Sequence, residues 1–179
     1  TAAWGNSPER NPPFFVSDNV VTEQWVFVYR NAVKFHWSSL ADLKPYRVAM
    51  IQDYTYTPEI WTMANAGAFK SDKLSNESAA IKMLLLDRVD VAPMERNVAC
   101  DVLQKNFTDD DAAKLSVHPK QMIDTFTSHV LLPRALPASA NLALEFNAGL
   151  KKLKASPEYN KLLSQVKCPS GWSGTAAGK

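Results

Sequence analysis

Few places in this chain could support chemistry. The stretch RVDVAPMERNVAC, Arg88 to Cys100, runs from an apolar segment, Val89 to Pro93, into Glu95 and Arg96 at the start of a helical pattern. An acid there can accept a cation, or it can simply favour the positive end of the helix that follows, with Arg96 solvated. The stretch QDYTYT, Gln52 to Thr57, offers hydroxyls from Tyr54, Thr55, Tyr56 and Thr57. A helix starting beside it has unpaired N–H groups that can hold an anion. Taken singly, Thr57 reads as a helix cap and the tyrosines as packing.

No catalytic set emerges. His36, His118 and His129 have no metal-ligand spacing, and neither a Gly-rich phosphate loop nor a G-x-S-x-G elbow is present. Asp109 to Asp111 directly follow Thr108, which reads as the first turn of a helix and not as a metal cluster. Cys100 falls inside a helical pattern, a poor place for a nucleophile. Binding without chemistry is therefore the expectation, with no metal and no cofactor. Cys100 and Cys168 match no metal spacing. They are either two buried free thiols or one long-range disulfide made in an oxidising compartment, and both readings stand.

The composition sets further bounds. The 179 residues are 46% hydrophobic, enough chain for one large or two small α/β units. A formal charge of +2, with lysines and arginines scattered along the chain, counts against nucleic acid as a partner. No apolar run reaches the roughly 18 residues of a membrane span. The sequence starts at Thr1, without an initiator methionine or a charged-then-apolar leader, so a removed signal peptide or a fragment is expected.

The elements that must position these residues follow from periodicity. QWVFVYR (24–30), RVAMI (47–51), the run 89–93 and HVLLP (129–133) read as strands, and 69–74 is weakly strand-like. Thr57 with Pro58 starts a helix over about 58–66, and Asn76 caps the next. Further helices are expected over about 95–106 and 108–115. Alternating strands and helices predict an α/β fold, a mostly parallel sheet flanked by helices on both faces. Ligands of such sheets bind beyond the carboxyl ends of the strands, where Gln52–Thr57 and Met94–Arg96 both fall. The last helices are expected over 138–155, with an apolar stripe at Leu142, Phe146, Leu150 and Leu153, and from Pro157 after the cap Ser156. Residues 168–179 read as a flexible tail.

Several segments, in order, resemble the bacterial family 3 extracellular solute-binding proteins, receptors that feed amino acids and similar solutes to ABC importers. NSPERNPPFFVSDN is similar to the family's T-x-E-R motif and the F-S-x-P-Y turn after it. SSLADLKPYRVAMIQDYTYTPEI resembles its strand-loop-helix, IKMLLLDRVDVAPMERNVA its L..GrvDa segment, and FNAGLKKLKASPEYNKLLSQV its C-terminal helices. The resemblance runs from about residue 3 to 167. It implies a periplasmic-binding-protein-like fold of two lobes joined by two hinge strands, crossing near residues 25–33 and 125–133. Residues 1–28 would be the end of an incomplete lobe 1, 29–128 lobe 2, and 129–167 the returning strand and helices on lobe 1. An N-terminal portion of lobe 1 would be missing, exposing apolar surface around Phe14, Phe15 and Phe146 and favouring self-association.

The resemblance also implies a site. Its carboxylate grip falls on Ser7 and Arg10, a guanidinium fork suiting that geometry. Its second-lobe donors fall on Tyr54 and Thr55, and the acceptor of a ligand ammonium falls on Glu95. The chain departs from the family pattern at four places: Asp53 stands where Gly is usual, Glu95 where Asp is, Ser7 where Thr is, and Asn19-Val20 where Pro-Tyr is. These departures count against a simple α-amino acid. Arg96 has no family role and is expected to pair with an acid, Asp53 first, or to tune what Glu95 accepts. The implied function is non-catalytic capture of a small polar solute between the lobes in the periplasm, for an ABC permease. The alternative is the ligand-sensing domain of a membrane signalling receptor; a regulatory domain of a cell-wall hydrolase ranks last.

Overall fold

A computed structural model of the chain describes residues 3–5 (by backbone alone), 12–54, 56–123 and 126–172. In chain order the elements are β1 (Ala3–Gly5), β2 (Phe14–Val16), β3 (Val21–Thr22), β4 (Trp25–Arg30), a 3-10 turn (Leu40–Leu43), β5 (Arg47–Ile51), α1 (Pro58–Asn65), β6 (Lys70–Leu74), α2 (Glu77–Leu85), β7 (Val91–Glu95), α3 (Arg96–Asn106), α4 (Asp109–Ala112), β8 (Leu115–Val117), β9 (Thr127–Pro133), α5 (Ser139–Lys154) and α6 (Pro157–Leu163). They form two compact units. Unit 1 comprises 1–23 and 124–166, and unit 2 comprises 24–123 and 167–179. β4 lies wholly within unit 2.

Unit 2 is built on a five-stranded sheet in the order β6-β5-β7-β4-β8. β5 pairs in parallel with β6 and β7, whereas β4 pairs antiparallel with both β7 and β8. The α/β fold is as expected, but the sheet is mixed where a mostly parallel one was predicted. The reason is β4. It enters ahead of every strand-helix repeat and fills the slot beside β7 in the opposite sense, which periodicity cannot reveal. Both faces of β4, β5 and β7 are covered: Trp25 to Val28, Val48 to Ile51 and Val91 to Glu95 are all buried. Continuous apolar and β-branched runs are what such strands require. β6 is an edge strand, and its polar KSDKL pattern explains its weak signal in the sequence.

The helix starts follow their caps. Thr57 accepts from the Ile60 amide with Pro58 at the first position, and Asn76 accepts from Ala79. The helix expected over 108–115 is one turn capped by Thr108, and Leu115–Val117 is instead the short edge strand β8. Residues 168–172, expected to be loose, are fixed. Cys168 is disulfide-bonded to Cys100 of α3, and Trp172 is 1% exposed with its indole N–H donating to the Leu115 carbonyl at 3.0 Å. Of the two readings open for the cysteines, the disulfide is the one found.

In unit 1, β9 is the common partner. β1, β2 and β3 all pair antiparallel with it, in registers including Ala3 with Val130, Phe15 with Leu132 and Val21 with Ser128. His129, without a metal set, ties β9 to the neighbouring loop: its Nδ1 donates to the Ser17 carbonyl at 2.7 Å, since a carbonyl can only accept. α5 buries Ser139, Ala143 and Leu150. Of the expected stripe, Leu150 is buried and Phe146 and Leu153 are half-buried, while Leu142 is exposed and Ala143 takes its place. Phe14, Phe15 and Phe146, expected to be bare, are half-buried. Exposed apolar side chains of this unit are instead Leu136, Leu142, Leu144, Leu162 and Leu163.

The base of unit 2 is held by charge. Asp90, just before β7, takes the Arg47 guanidinium through both oxygens at 2.7 and 3.0 Å, and the Arg47 amide at 2.8 Å. Arg30 and Asp87 complete the cluster. The Arg47 hydrogen bonds hold the Asp90 carboxyl below its ordinary 3.8. The unfolded chain therefore takes up this proton first as pH falls, so the contribution is whole above about pH 4 and vanishes as pH drops through the folded value. Asp90→Asn should lower stability at pH 7 by roughly 1–3 kcal/mol, read from urea midpoints. The gap from wild type should close below about pH 4. A gap that persists unchanged to about pH 2 would assign the loss to packing instead.

Candidate functional site

β5 and β7 run in parallel, and each delivers its carboxyl end to a helix start: β5 through Gln52–Thr57 into α1, β7 directly into α3. Strand ends of this kind are where α/β sheets present ligand-binding groups, because loops and helix N–H groups converge there. Glu95 is at once the last residue of β7 and the N-cap of α3. It is 7% exposed. One carboxylate oxygen accepts from the Val98 amide at 2.8 Å, and the other from the Gln24 amide at 3.2 Å. Serine, threonine, aspartate and asparagine are the usual caps. Here the longer glutamate spans from the helix end to the start of the neighbouring strand.

Tyr54 reaches the same end of the sheet through Trp25. Its ring meets the Trp25 indole edge-on at 5.8 Å, and Trp25 sits opposite Glu95 in the β4–β7 register. Tyr56 packs on both, at 5.4 Å from Trp25 and 5.8 Å from Tyr54. The Trp61 indole N–H donates to the Tyr54 carbonyl at 2.9 Å, fixing the turn against α1. The structure thus brings Tyr54 and Glu95 to one place, while Ser7, Arg10 and Thr55 lie outside the described residues.

Two side chains do other work than the sequence indicated. Tyr56 is buried, and its hydroxyl accepts from the Ile51 amide at 3.0 Å and donates to the Pro93 carbonyl at 3.3 Å. It pins the end of β5 to β7, and burial pushes its ionisation well above the ordinary range. Arg96 does not pair with Asp53. Its Nε donates to the Trp172 carbonyl at 2.9 Å, Nη2 to the same oxygen, and Nη1 to the Gln24 side-chain oxygen at 3.2 Å. Asp53 itself has a φ of 64°, the left-handed region. Glycine suits that backbone best and aspartate tolerates it, which gives a physical reason for Gly at the corresponding place in the resembled motif.

The anion-binding capacity expected of α1 is reduced. Thr57 takes the Ile60 amide, Pro58 has no N–H, and Glu59 stands in the first turn. Among the described residues no three His, Cys, Asp or Glu side chains come together as a metal would need. Sequence reasoning missed Gln24, Trp25 and Trp172. Trp25 and Gln24 were read only as strand residues, and the role of Trp172 depends on a segment 76 residues from Arg96 in sequence.

No protein-family model and no curated protein matches the sequence. Solved structures do share its fold. An ancestral arginine-binding protein bound to arginine matches with a TM-score of 0.68 at 20% identity, over 95% of this chain and 69% of that one. An amino acid ABC transporter substrate-binding protein from Streptococcus pneumoniae bound to L-arginine matches with a TM-score of 0.70 at 20% identity, over 90% and 64%. Holo ArgBP from T. maritima matches with a TM-score of 0.66 at 20% identity, over 90% and 65%. The chain spans about two thirds of the length of these proteins and has their fold, that of the periplasmic-binding-protein-like α/β proteins.

Tyr56→Phe keeps the ring and removes the acceptor for the buried Ile51 amide. It should cost roughly 1–3 kcal/mol in urea denaturation, the penalty for an unsatisfied buried donor. A loss under about 0.5 kcal/mol would mean that the hydroxyl does not hold the two strands.

Proposed function

We propose that this chain binds a small polar solute without covalent chemistry, and that Glu95 is its acceptor for a cationic group. The observation that carries this reading is the buried carboxylate at the carboxyl end of β7, beside the Tyr54–Trp25 aromatic pair, in a fold shared with amino-acid-binding proteins. Tyr54 and Thr55 serve as the polar partners of the solute, and Ser7 and Arg10 as the pair for its anionic group. Closure of the two units on the solute belongs to the same proposal.

Asp53 and Glu59 near the start of α1, with Thr57 and Pro58 removing anion donors there, favour solutes with positive charge on this side. The matched proteins bound to arginine make L-arginine the first candidate. Delivery to an ABC-type permease and a location outside the cytoplasm follow from the same likeness. The Cys100–Cys168 disulfide supports that location, since such bonds persist in oxidising compartments. The exposed leucines of unit 1, from Leu136 to Leu163, support pairing with a second copy through that unit.

Isothermal titration with L-arginine, neutral amino acids and small carboxylates tests the reading. Arg10→Ala and Glu95→Gln should each weaken the best solute at least tenfold, about 1.4 kcal/mol. Saturable binding that neither substitution changes would remove both residues from the site, and no heat with any of these solutes would remove the function.

A further inference from the structure

The C-terminal segment is joined to the candidate site by a chain of contacts that solute binding does not require. Cys168 is bonded to Cys100, and four residues on Trp172 is buried under β8. Gly171, with φ of 89°, allows the turn that brings Trp172 back. The Trp172 carbonyl receives two N–H groups of Arg96, whose third bonded nitrogen holds the Gln24 side chain. The Arg96 amide donates to the Gln24 carbonyl at 2.8 Å, and the Gln24 amide donates to Glu95. Disulfide, indole, guanidinium, glutamine and carboxylate thus form one continuous path. Every member lies in unit 2.

Arg96 adjoins Glu95 in sequence, so where its guanidinium points decides the charge around that carboxylate. Held on Trp172 and Gln24, it is satisfied by neutral acceptors. Released, a mobile cation beside Glu95 competes with any cationic group of a solute. A groove of about 590 Å³ is lined by both cysteines together with Leu103, Gln104, Thr108 and Lys167, with Cys168 half-buried on its wall and Cys100 enclosed behind it.

We propose that Lys167–Trp172 is a redox-opened clasp that regulates the strand-end site through Arg96, a positioning residue. This rests on the solute-binding reading above. An external dithiol reductant entering the groove supplies two electrons and two protons. The Cys100–Cys168 bond breaks to two thiols, and the reductant becomes a disulfide. The segment then leaves β8, Arg96 loses the Trp172 carbonyl, and Gln24 and Glu95 lose their fixed geometry.

Hydrogen exchange on the full chain, oxidised and in dithiothreitol, reads the clasp without any solute. The Trp172 indole N–H and the Gln24 amide should exchange at least tenfold faster after reduction, the Met50 amide in β5 should stay within twofold, and reoxidation should restore the original rates. In the oxidised protein, Arg96→Gln should speed the Gln24 amide with the disulfide intact, which keeps the test open if the reduced protein unfolds. L-arginine, titrated in parallel, should bind at least threefold more weakly after reduction. Three outcomes overturn the clasp: an indole still protected after reduction, a Gln24 amide unchanged while the indole is freed, or equal acceleration at Met50, which would make the disulfide a global brace. Unchanged L-arginine affinity overturns the regulation. No binding to the oxidised protein sinks the solute-binding reading, while the exchange rates still decide the clasp.

Discussion

Trp25 stands opposite Glu95 because β4 enters the sheet antiparallel to β7, and most of what is distinctive in unit 2 depends on that register. It gives Glu95 the Gln24 amide as a second donor and places an indole where Tyr54 and Tyr56 can pack on it edge-to-face. It also puts the Gln24 side chain within reach of Arg96. A shift of one residue would turn Trp25 to the other face of the sheet, because side chains alternate along a strand. Five residue pairs, every member buried except the half-buried Tyr29, fix the register.

Under the proposed function, Glu95 serves fold and site together. As a cap it neutralises a helix start; as a strand terminus it is held rigid. Rigidity is what a binding carboxylate needs, since a group already fixed in place loses little conformational freedom when a solute arrives. The cost is that removing it damages α3 and the β4 junction as well as any binding, so the isosteric glutamine is the informative replacement.

The two units differ in how their cores are made. In unit 2, Phe27, Met50, Ile60, Ile81 and Leu84 are fully enclosed, and an aromatic cluster of Phe27, Phe35 and Trp37 adds edge-to-face contacts near 5 Å. Each such side chain contributes about 1.5–3 kcal/mol on burial. Unit 1 encloses Leu131, Leu132 and Leu150 together with smaller or polar groups, among them Ser17, Ser128, Ser139 and Ala143, and relies on backbone pairing to β9. Hydrogen bonds from Tyr159 to the Val20 carbonyl and from Lys154 to that of Asn19 tie its helices to the preceding loop.

The sequence by itself determined the local elements. Thr57–Pro58 and Asn76 start helices where capping chemistry says they should, QWVFVYR and RVAMI are strands, and the strand ends at Gln52 and Glu95 mark one region of the sheet. These are short-range properties, set by side-chain shape and by orphan N–H groups within a few residues. The ordered motifs likewise led to the fold that solved structures share. Only the tertiary structure decided what each polar group faces. It turned β4 antiparallel, ended the expected 108–115 helix early so that Leu115 opens β8, joined Cys100 to Cys168 across 68 residues, and sent Arg96 to Trp172 in place of Asp53. Partners so far apart in the chain leave no periodicity to read, because their meeting depends on how whole elements pack and not on the residues around each one.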